Sequence, residues 1–248
     1  VGNGSMLVNV DSSYLIRDIY YPHVGLYNHV RGSKCHFGVW ADGVFSWVKD
    51  SSWQRDLRYE KSTLVTDVRL VNEQLGIELR CSDCVDFHRP IYLRKIAIKN
   101  LRSSPREVRI FFHQDFNIYG DEIGDTAYFD PEPRSLIHYK RKLWFWIDVQ
   151  TKSGFGWDAF AIGESSVAGL EGTWRDAENG DLGGNLVSQG SVDSTGATHL
   201  KIDSNGSDEI YYWISVDRDY KELRVHNDSL RELGADALIN RTRHYWRF

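Results

Sequence analysis

The segment from Arg17 to His29, Arg-Asp-Ile-Tyr-Tyr-Pro-His-Val-Gly-Leu-Tyr-Asn-His, gathers aromatic rings, imidazoles, an amide and two chain-bending residues into one short span. Tyr20, Tyr21, His23, Tyr27, Asn28 and His29 can each stack or exchange hydrogen bonds, a combination suited to a hydroxyl-rich ligand. Neither Pro22 nor Gly25 belongs inside a central strand, so the alternating run Tyr14, Ile16, Asp18, Tyr20 reads as a strand that delivers a loop. Loops held on a rigid sheet are where binding groups concentrate. The competing reading is a satisfied turn whose tyrosines cover a core edge.

Other chemistry finds less support. Cys81-x-x-Cys84 has redox or zinc spacing, but it lies at the end of an alternating strand and no second cysteine pair exists, so buried thiols are the expectation and no metal site is assigned. Asp115, Asp121, Glu122, Asp125 and Asp130 form the densest carboxylate region. A glycosidase needs two carboxylates about 5 to 10 Å apart across a sugar bond, yet a solvated loop explains this stretch as well, and its spacing fails the EF-hand pattern. No nucleophile elbow, phosphate loop or dinucleotide fingerprint is present, so no cofactor is implied. Tryptophans make good sugar platforms, but Trp40, Trp47, Trp144, Trp146 and Trp213 lie in strand-like runs and are expected to fill a core between two sheets.

The elements that must position these residues read as one large β domain. Nine tryptophans, 13 tyrosines and 11 phenylalanines against one methionine make a strand-like composition in 248 residues. Met6 to Val10 and the run before Pro22 form the first strands. Asp42-Gly43, a strong hairpin signal, joins His36–Ala41 to a strand from 44 to 48, with Phe37, Val39, Phe45 and Trp47 on one face. Strands follow over 53–60, 62–71, 75–87, 92–99, 107–116, 136–139, 143–149, 155–163, 198–202 and 209–216, while 120–133 and 171–190 read as loop, the latter with one helical turn near 174–178. From Asp219 the pattern becomes helical, with a capping-box-like start at Asp219 and Glu222 and a break at Gly234. Tyr245, Trp246 and Phe248 form an aromatic cluster on the last helix, a face built to pack on something further or to fold back on the sheet. A net charge of −5 with no basic face argues against nucleic acid. No apolar run reaches the roughly 18 residues of a membrane span, no secretory signal is evident, and an odd cysteine count fits a reducing, cytoplasmic setting.

Several motifs in one order resemble the amino-terminal region of prokaryotic glucoamylase- and trehalase-like enzymes, glycoside hydrolase family 15. They are Gly2-Asn3-Gly4-Ser5, the run Arg17 to Gly25 with Asn28-His29, Phe37-Gly38-Val39-Trp40, His113-Gln114-Asp115-Phe116-Asn117, Gly124-Asp125-Thr126-Ala127 with Asp130-Pro131, and Thr242-Arg243-x-Tyr245-Trp246. The resemblance implies a large two-sheet antiparallel β-sandwich of the galactose-mutarotase-like super-sandwich type over 1–218. A helical linker over 219–248 then leads to an (α/α)6 barrel holding the two catalytic glutamates of an inverting hydrolysis. Those glutamates have no counterpart here, so none of the carboxylates above is nominated as catalytic.

The resemblance implies a non-catalytic domain that packs on its barrel and shapes the entrance to a pocket for an α-glucan or α-glucoside. Tyr20, Tyr21, Pro22, His23, Asn28 and His29 are then the loop that reaches the barrel, by sugar contact or by bracing, and Tyr245, Trp246 and Phe248 pack between domains. The alternatives are a free-standing carbohydrate-binding sandwich and an independent hydrolase using the acidic loop.

Overall fold

The computed structural model describes residues 1–30, 32, 35–165 and 172–247. The strands run β1 (Leu7–Val10), β2 (Ile16–Tyr20), β3 (His36–Ala41), β4 (Val44–Trp47), β5 (Gln54–Tyr59), β6 (Thr66–Asn72), β7 (Ile77–Val85), β8 (Ile91–Asn100) and β9 (Arg106–Asp115). After them come β10 (Asp125–Asp130), β11 (Ser135–Lys140), β12 (Leu143–Thr151), β13 (Gly154–Phe155), β14 (Ala159–Glu164), β15 (Val187–Gly190), β16 (Val192–Ile202) and β17 (Ser207–Asp217). Among the described residues the α-helices are α1 (Trp174–Glu178), between β14 and β15, and α2 (Tyr220–Leu233) and α3 (Ala235–Arg247), after β17.

The strands assemble into a ten-stranded sheet, ordered β15-β10-β11-β12-β17-β8-β7-β6-β5 with β13 beside β12, and a five-stranded sheet, ordered β14-β16-β9-β3-β4. With the separate β1–β2 ribbon, every pairing is antiparallel. The expected β-sandwich is therefore the observed fold. Its inner core comes from one face of each sheet, for example Ile96, Ile98, Ile147 and Ile214 of the large sheet against Phe37, Val39, Ile110 and Phe112 of the small one. One polar chain crosses this interior: His138 Nε2–H donates to Ser194 Oγ at 2.7 Å, Ser194 donates to Gln114 Oε1 at 3.2 Å, and the Gln114 amide donates to the Tyr212 hydroxyl at 3.1 Å.

Both sheets are also covered outside. The opposite face of the large sheet carries Ile91, Leu93 and Trp213 beneath Leu230, Leu238 and Ile239, and Trp146 beneath Leu223. The opposite face of the small sheet carries Trp47, Phe111 and Ala197 beneath Ala177 of α1. This corrects two expectations. Among the described residues Trp53 and Trp157 are the tryptophans of the inner core, whereas Trp47, Trp146 and Trp213 are buried on the outer faces and Trp40 and Trp144 lie half-buried there. Nor do Phe37, Val39, Phe45 and Trp47 share a face: the two-residue turn, with Asp42 and Gly43 both at positive φ, pairs Gly38 with Trp47 and Trp40 with Phe45, which sends Phe45 and Trp47 outward.

The span 120–133, expected as loop, contains β10, and 171–190 contains β15 as well as the expected helical turn. The strand expected over 198–202 begins at Val192, because Asp193, Ser194 and Thr195 are polar but buried. The strand expected over 155–163 is two strands, β13 and β14, separated by Gly156 at φ 92°. Asp219 caps α2 by accepting from Lys221 N at 2.7 Å.

Residues 219–247 lie against the large sheet. Arg231 reaches back to the buried Asp148, Trp213 Nε1 donates to Asn227 Oδ1 at 2.8 Å, and Arg243 grips both carboxylate oxygens of Glu60 at 2.7 Å. Burial lifts the Asp148 carboxyl to about 6, against the pull of Arg231. No helix among the described residues is long and apolar enough to cross a membrane.

Candidate functional site

The β1–β2 ribbon that carries the opening loop is tied to the large sheet through Tyr14. Its hydroxyl donates to the buried Asp83 at 2.6 Å, and Asp83 also takes Tyr92 at 3.0 Å and Arg94 at 2.6 Å. Such a carboxylate is tolerable in an apolar interior because a cation and two hydroxyls satisfy it. The ribbon is thereby fixed, and the chain leaves β2 at Tyr20.

The loop returns on itself at Asn28, which bridges Tyr20 and accepts from Ile19 N at 3.1 Å and Val30 N at 3.2 Å while its amide donates to Asp18. His29 is fully buried. Its Nε2–H donates to the Tyr21 carbonyl at 2.9 Å and its Nδ1 accepts from Tyr119 N at 3.1 Å, which selects the neutral tautomer. Burial drives its pKa down to about 4. His29 therefore braces the loop and does not face a ligand. Tyr20, Tyr21 and Pro22 are half-buried at the loop base, the Tyr21–Pro22 peptide is cis, and His23 is exposed.

The tip of the loop is apolar, a property the polar reading of this stretch missed. Val24 is 55% exposed, Leu26 52% and Tyr27 39%. Val24 lines a groove of about 410 Å³ together with Leu7, Tyr59, Leu64 and Trp246. The loop and α3 thus meet at one end of the sandwich. Trp246 is half-buried there, and Tyr245 is half-exposed while stacked on Phe87 at 4.6 Å. Phe248 lies outside the described residues. Arg241 holds this end of α3 through both oxygens of the buried Asp86, at 2.9 and 2.7 Å, and Asn3 of the N-terminal turn donates to the Asp86 carbonyl at 2.8 Å. Exposed apolar residues in a sequence loop, flanking a glycine, are the signal that could have marked the tip.

On its other side the loop borders a second cleft. Tyr27 meets Tyr119 edge to face with ring centroids 5.5 Å apart, and the two rings with Asp121, Lys140, Arg141 and Lys142 line a space of about 510 Å³.

The acidic stretch has structural duties. Asp125 is buried, accepts from Ile118 N at 3.1 Å and pairs with Lys140 at 3.0 Å, and burial raises its carboxyl above the usual range. Asp121 accepts from Ile123 N at 3.2 Å and Asp130 from Glu132 N at 3.1 Å, both closing turns. Cys81 and Cys84 belong to opposite faces of the large sheet, one in the inner core and one beneath α3, so they cannot share a metal. Burial raises the Cys81 and Cys35 thiols to about 12 and the Cys84 thiol further. No group of three potential metal ligands occurs among the described residues.

No family model matches the chain. An uncharacterized glycosyl hydrolase of the archaeon Methanocaldococcus jannaschii is 24% identical over 250 residues, spanning 100% of this chain and 39% of that protein. A bacterial glucoamylase crystallised with acarbose superimposes with a TM-score of 0.75 at 14% identity, over 99% of this chain and 35% of its own. The fold is glycoside-hydrolase-like. A family GH92 inverting mannosidase from Bacteroides thetaiotaomicron is similar over 100% of this chain and 32% of its own, at 10% identity and a TM-score of 0.52. The chain thus spans about two fifths of its archaeal relative and about a third of each solved enzyme.

Proposed function

We propose that this chain is the non-catalytic β-sandwich domain of a glucoamylase-type α-glucosidase of glycoside hydrolase family 15. In this reading an (α/α)6 barrel elsewhere in the parent protein performs the inverting hydrolysis, and residues 219–248 lead toward it. The opening loop, tipped by Val24 and Leu26, and the Trp246 end of α3 dock on that barrel and help close the entrance to its sugar pocket. The α-glucoside itself is held by the barrel.

The observation that carries the reading is that the whole chain matches only 39% of a relative named as a glycosyl hydrolase, which leaves most of such a protein to supply the chemistry. Two features of the molecule support it. Asp121, Asp125 and Asp130 of the acidic stretch are engaged in turns and an ion pair, and the exposed apolar tip gathers beside a groove at one end, the pattern of an interdomain contact. Three buried, unpaired thiols suit the reducing cytoplasm.

The test is hydrolysis. The isolated 248-residue chain should leave maltose, isomaltose and trehalose intact, whereas the full-length parent should release glucose from at least one. Turnover by the isolated chain overturns the non-catalytic assignment. Titration with neutral maltooligosaccharides separates docking from the second reading, a free-standing carbohydrate-binding sandwich favoured by the Tyr27–Tyr119 ring pair, because a docking domain binds them weakly or not at all.

A further inference from the structure

The cleft on the far side of the opening loop has a chemistry that docking does not use. Its floor is the turn joining β11 to β12, where Arg141 and Lys142 follow Lys140. Lys140 is committed: it is nearly buried, pairs with Asp125 at 3.0 Å and donates to the Asp121 carbonyl at 3.1 Å. Asp121 is committed as well, through Ile123 N and through Lys140 at 3.5 Å. Arg141 and Lys142 are exposed, and among the described residues neither enters an ion pair with a carboxylate. Lys140 is thus shared between Asp121 and Asp125, the Arg141 charge also favours the Asp121 carboxylate, and Arg141 and Lys142 line the cleft as exposed cations.

The backbone supplies an independent observation. Tyr119 lies at φ 64°, ψ 19° and Arg141 at φ 55°, the left-handed region that bulky residues rarely adopt. At a two-residue hairpin corner and in a short turn, Gly or Asn takes this conformation with less strain. The strained pair faces each other, with the Arg141 guanidinium 6.0 Å from the Tyr119 ring centre, and both side chains line the cleft. Two left-handed residues thus meet across the cleft, each ending in a side chain of a type that recognises ligands.

We propose that this cleft binds an anionic saccharide. The apolar face of a pyranose lies on Tyr27, which Tyr119 buttresses at right angles, and a phosphate or carboxylate on the sugar is held by the Arg141 fork and the Lys142 ammonium. The saccharide half of this proposal rests on the carbohydrate reading above, while the anion half rests on the cleft alone.

The experiment is a titration of the 248-residue chain, followed by NMR or calorimetry, with glucose 1-phosphate, glucuronate, maltose and inorganic phosphate. At least one of the two acidic sugars binds, and the ranking of phosphate against carboxylate identifies the source of the charge. Maltose and inorganic phosphate each bind at least about tenfold more weakly, since each lacks one half of the recognition. The variant Arg141→Gly with Lys142→Ala loses the acidic sugar by about tenfold or more. Arg141→Gly alone keeps or raises the melting temperature, because glycine relieves the left-handed strain. Four results overturn the proposal: no binding of either acidic sugar, binding that survives the double variant, inorganic phosphate binding as tightly as glucose 1-phosphate, or a lowered melting temperature for Arg141→Gly, which makes Arg141 a structural residue. None of these depends on whether the parent hydrolyses α-glucosides, so failure here and failure of the docking reading are read separately.

Discussion

At the scale of single residues, His29 shows how a polar side chain in a candidate binding loop becomes part of the scaffold. Its two ring nitrogens are used by Tyr21 and Tyr119, and its ring packs on Phe145 at 5.3 Å, so a proton added to Nδ1 would displace the Tyr119 N–H. The folded pKa, about 4, lies below the ordinary 6.5. A group depressed in this way contributes stability that is complete above pH 6.5 and is lost as pH falls toward 4, by roughly 3 kcal/mol if the whole shift is expressed. The buried His138, lowered to about 3, acts in the same direction. Asp148 and Asp193, raised by burial to about 6 and about 7, act oppositely, since folding favours their protonated forms and this contribution fades as pH rises through those values. The histidine contribution is isolated by difference. Urea melts of the wild type and of His29→Asn between pH 7.5 and 4 should show the variant less stable at neutral pH by about 2 to 3 kcal/mol, with the gap narrowing as pH falls. A constant gap across that range would show that His29 does not titrate with folding.

At the scale of elements, what the sequence displays locally is legible and what depends on distant partners is not. The Asp42-Gly43 turn and the break at Gly234 are local events, and both stand where the pattern puts them. β16 extends beyond its alternating run because Asp193 and Thr195 look like loop residues until Thr173, about twenty positions earlier, is folded against them: it donates to Asp193 at 2.9 Å and its hydroxyl lies 3.0 Å from that of Thr195. The outward placing of Trp40, Trp47, Trp144, Trp146 and Trp213 is hidden from the sequence for a similar reason. Alternation tells that a strand is covered but not by what, and the large sheet is covered twice. That second cover depends on Arg231, whose guanidinium meets Asp148, stacks over Phe155 at 5.1 Å and donates to the Pro133 carbonyl at 2.8 Å. Removing one partner of a buried ion pair costs about 3 to 5 kcal/mol because the other is left uncompensated. Arg231→Ala should therefore lose about that much at pH 7.5 by chemical denaturation. The loss should shrink at pH 5, where Asp148 is protonated, and adding Asp148→Asn should recover part of it. If the single variant is as destabilised at pH 5 as at pH 7.5, packing rather than charge holds α2 down.

At the scale of the whole molecule, one group of apolar residues left open by the sheets and their helical cover lies at an end of the sandwich. The helices cover the large sheet, α1 covers part of the small one, and Val24, Leu26, Tyr59 and Tyr245 remain open around the groove that contains Trp246. The sequence singles out the opening loop and the last helix, yet the two lie more than two hundred residues apart and their meeting is a product of the sheet between them. The apolar tip makes no buried contact that folding needs, so Val24→Asp with Leu26→Asp should change the stability of the isolated chain by no more than about 0.5 kcal/mol. On the docking reading proposed above, the same pair of charges falls in an interface of the full-length parent. Two modules joined by an apolar contact unfold together, each stabilised by the other, and two buried carboxylates without partners remove that coupling. Calorimetry of the parent should then show its single transition dividing into two, the lower moving down by several degrees, while the isolated domain melts as before. A parent carrying both aspartates that still unfolds in one unshifted transition would place the docking face elsewhere on the sandwich.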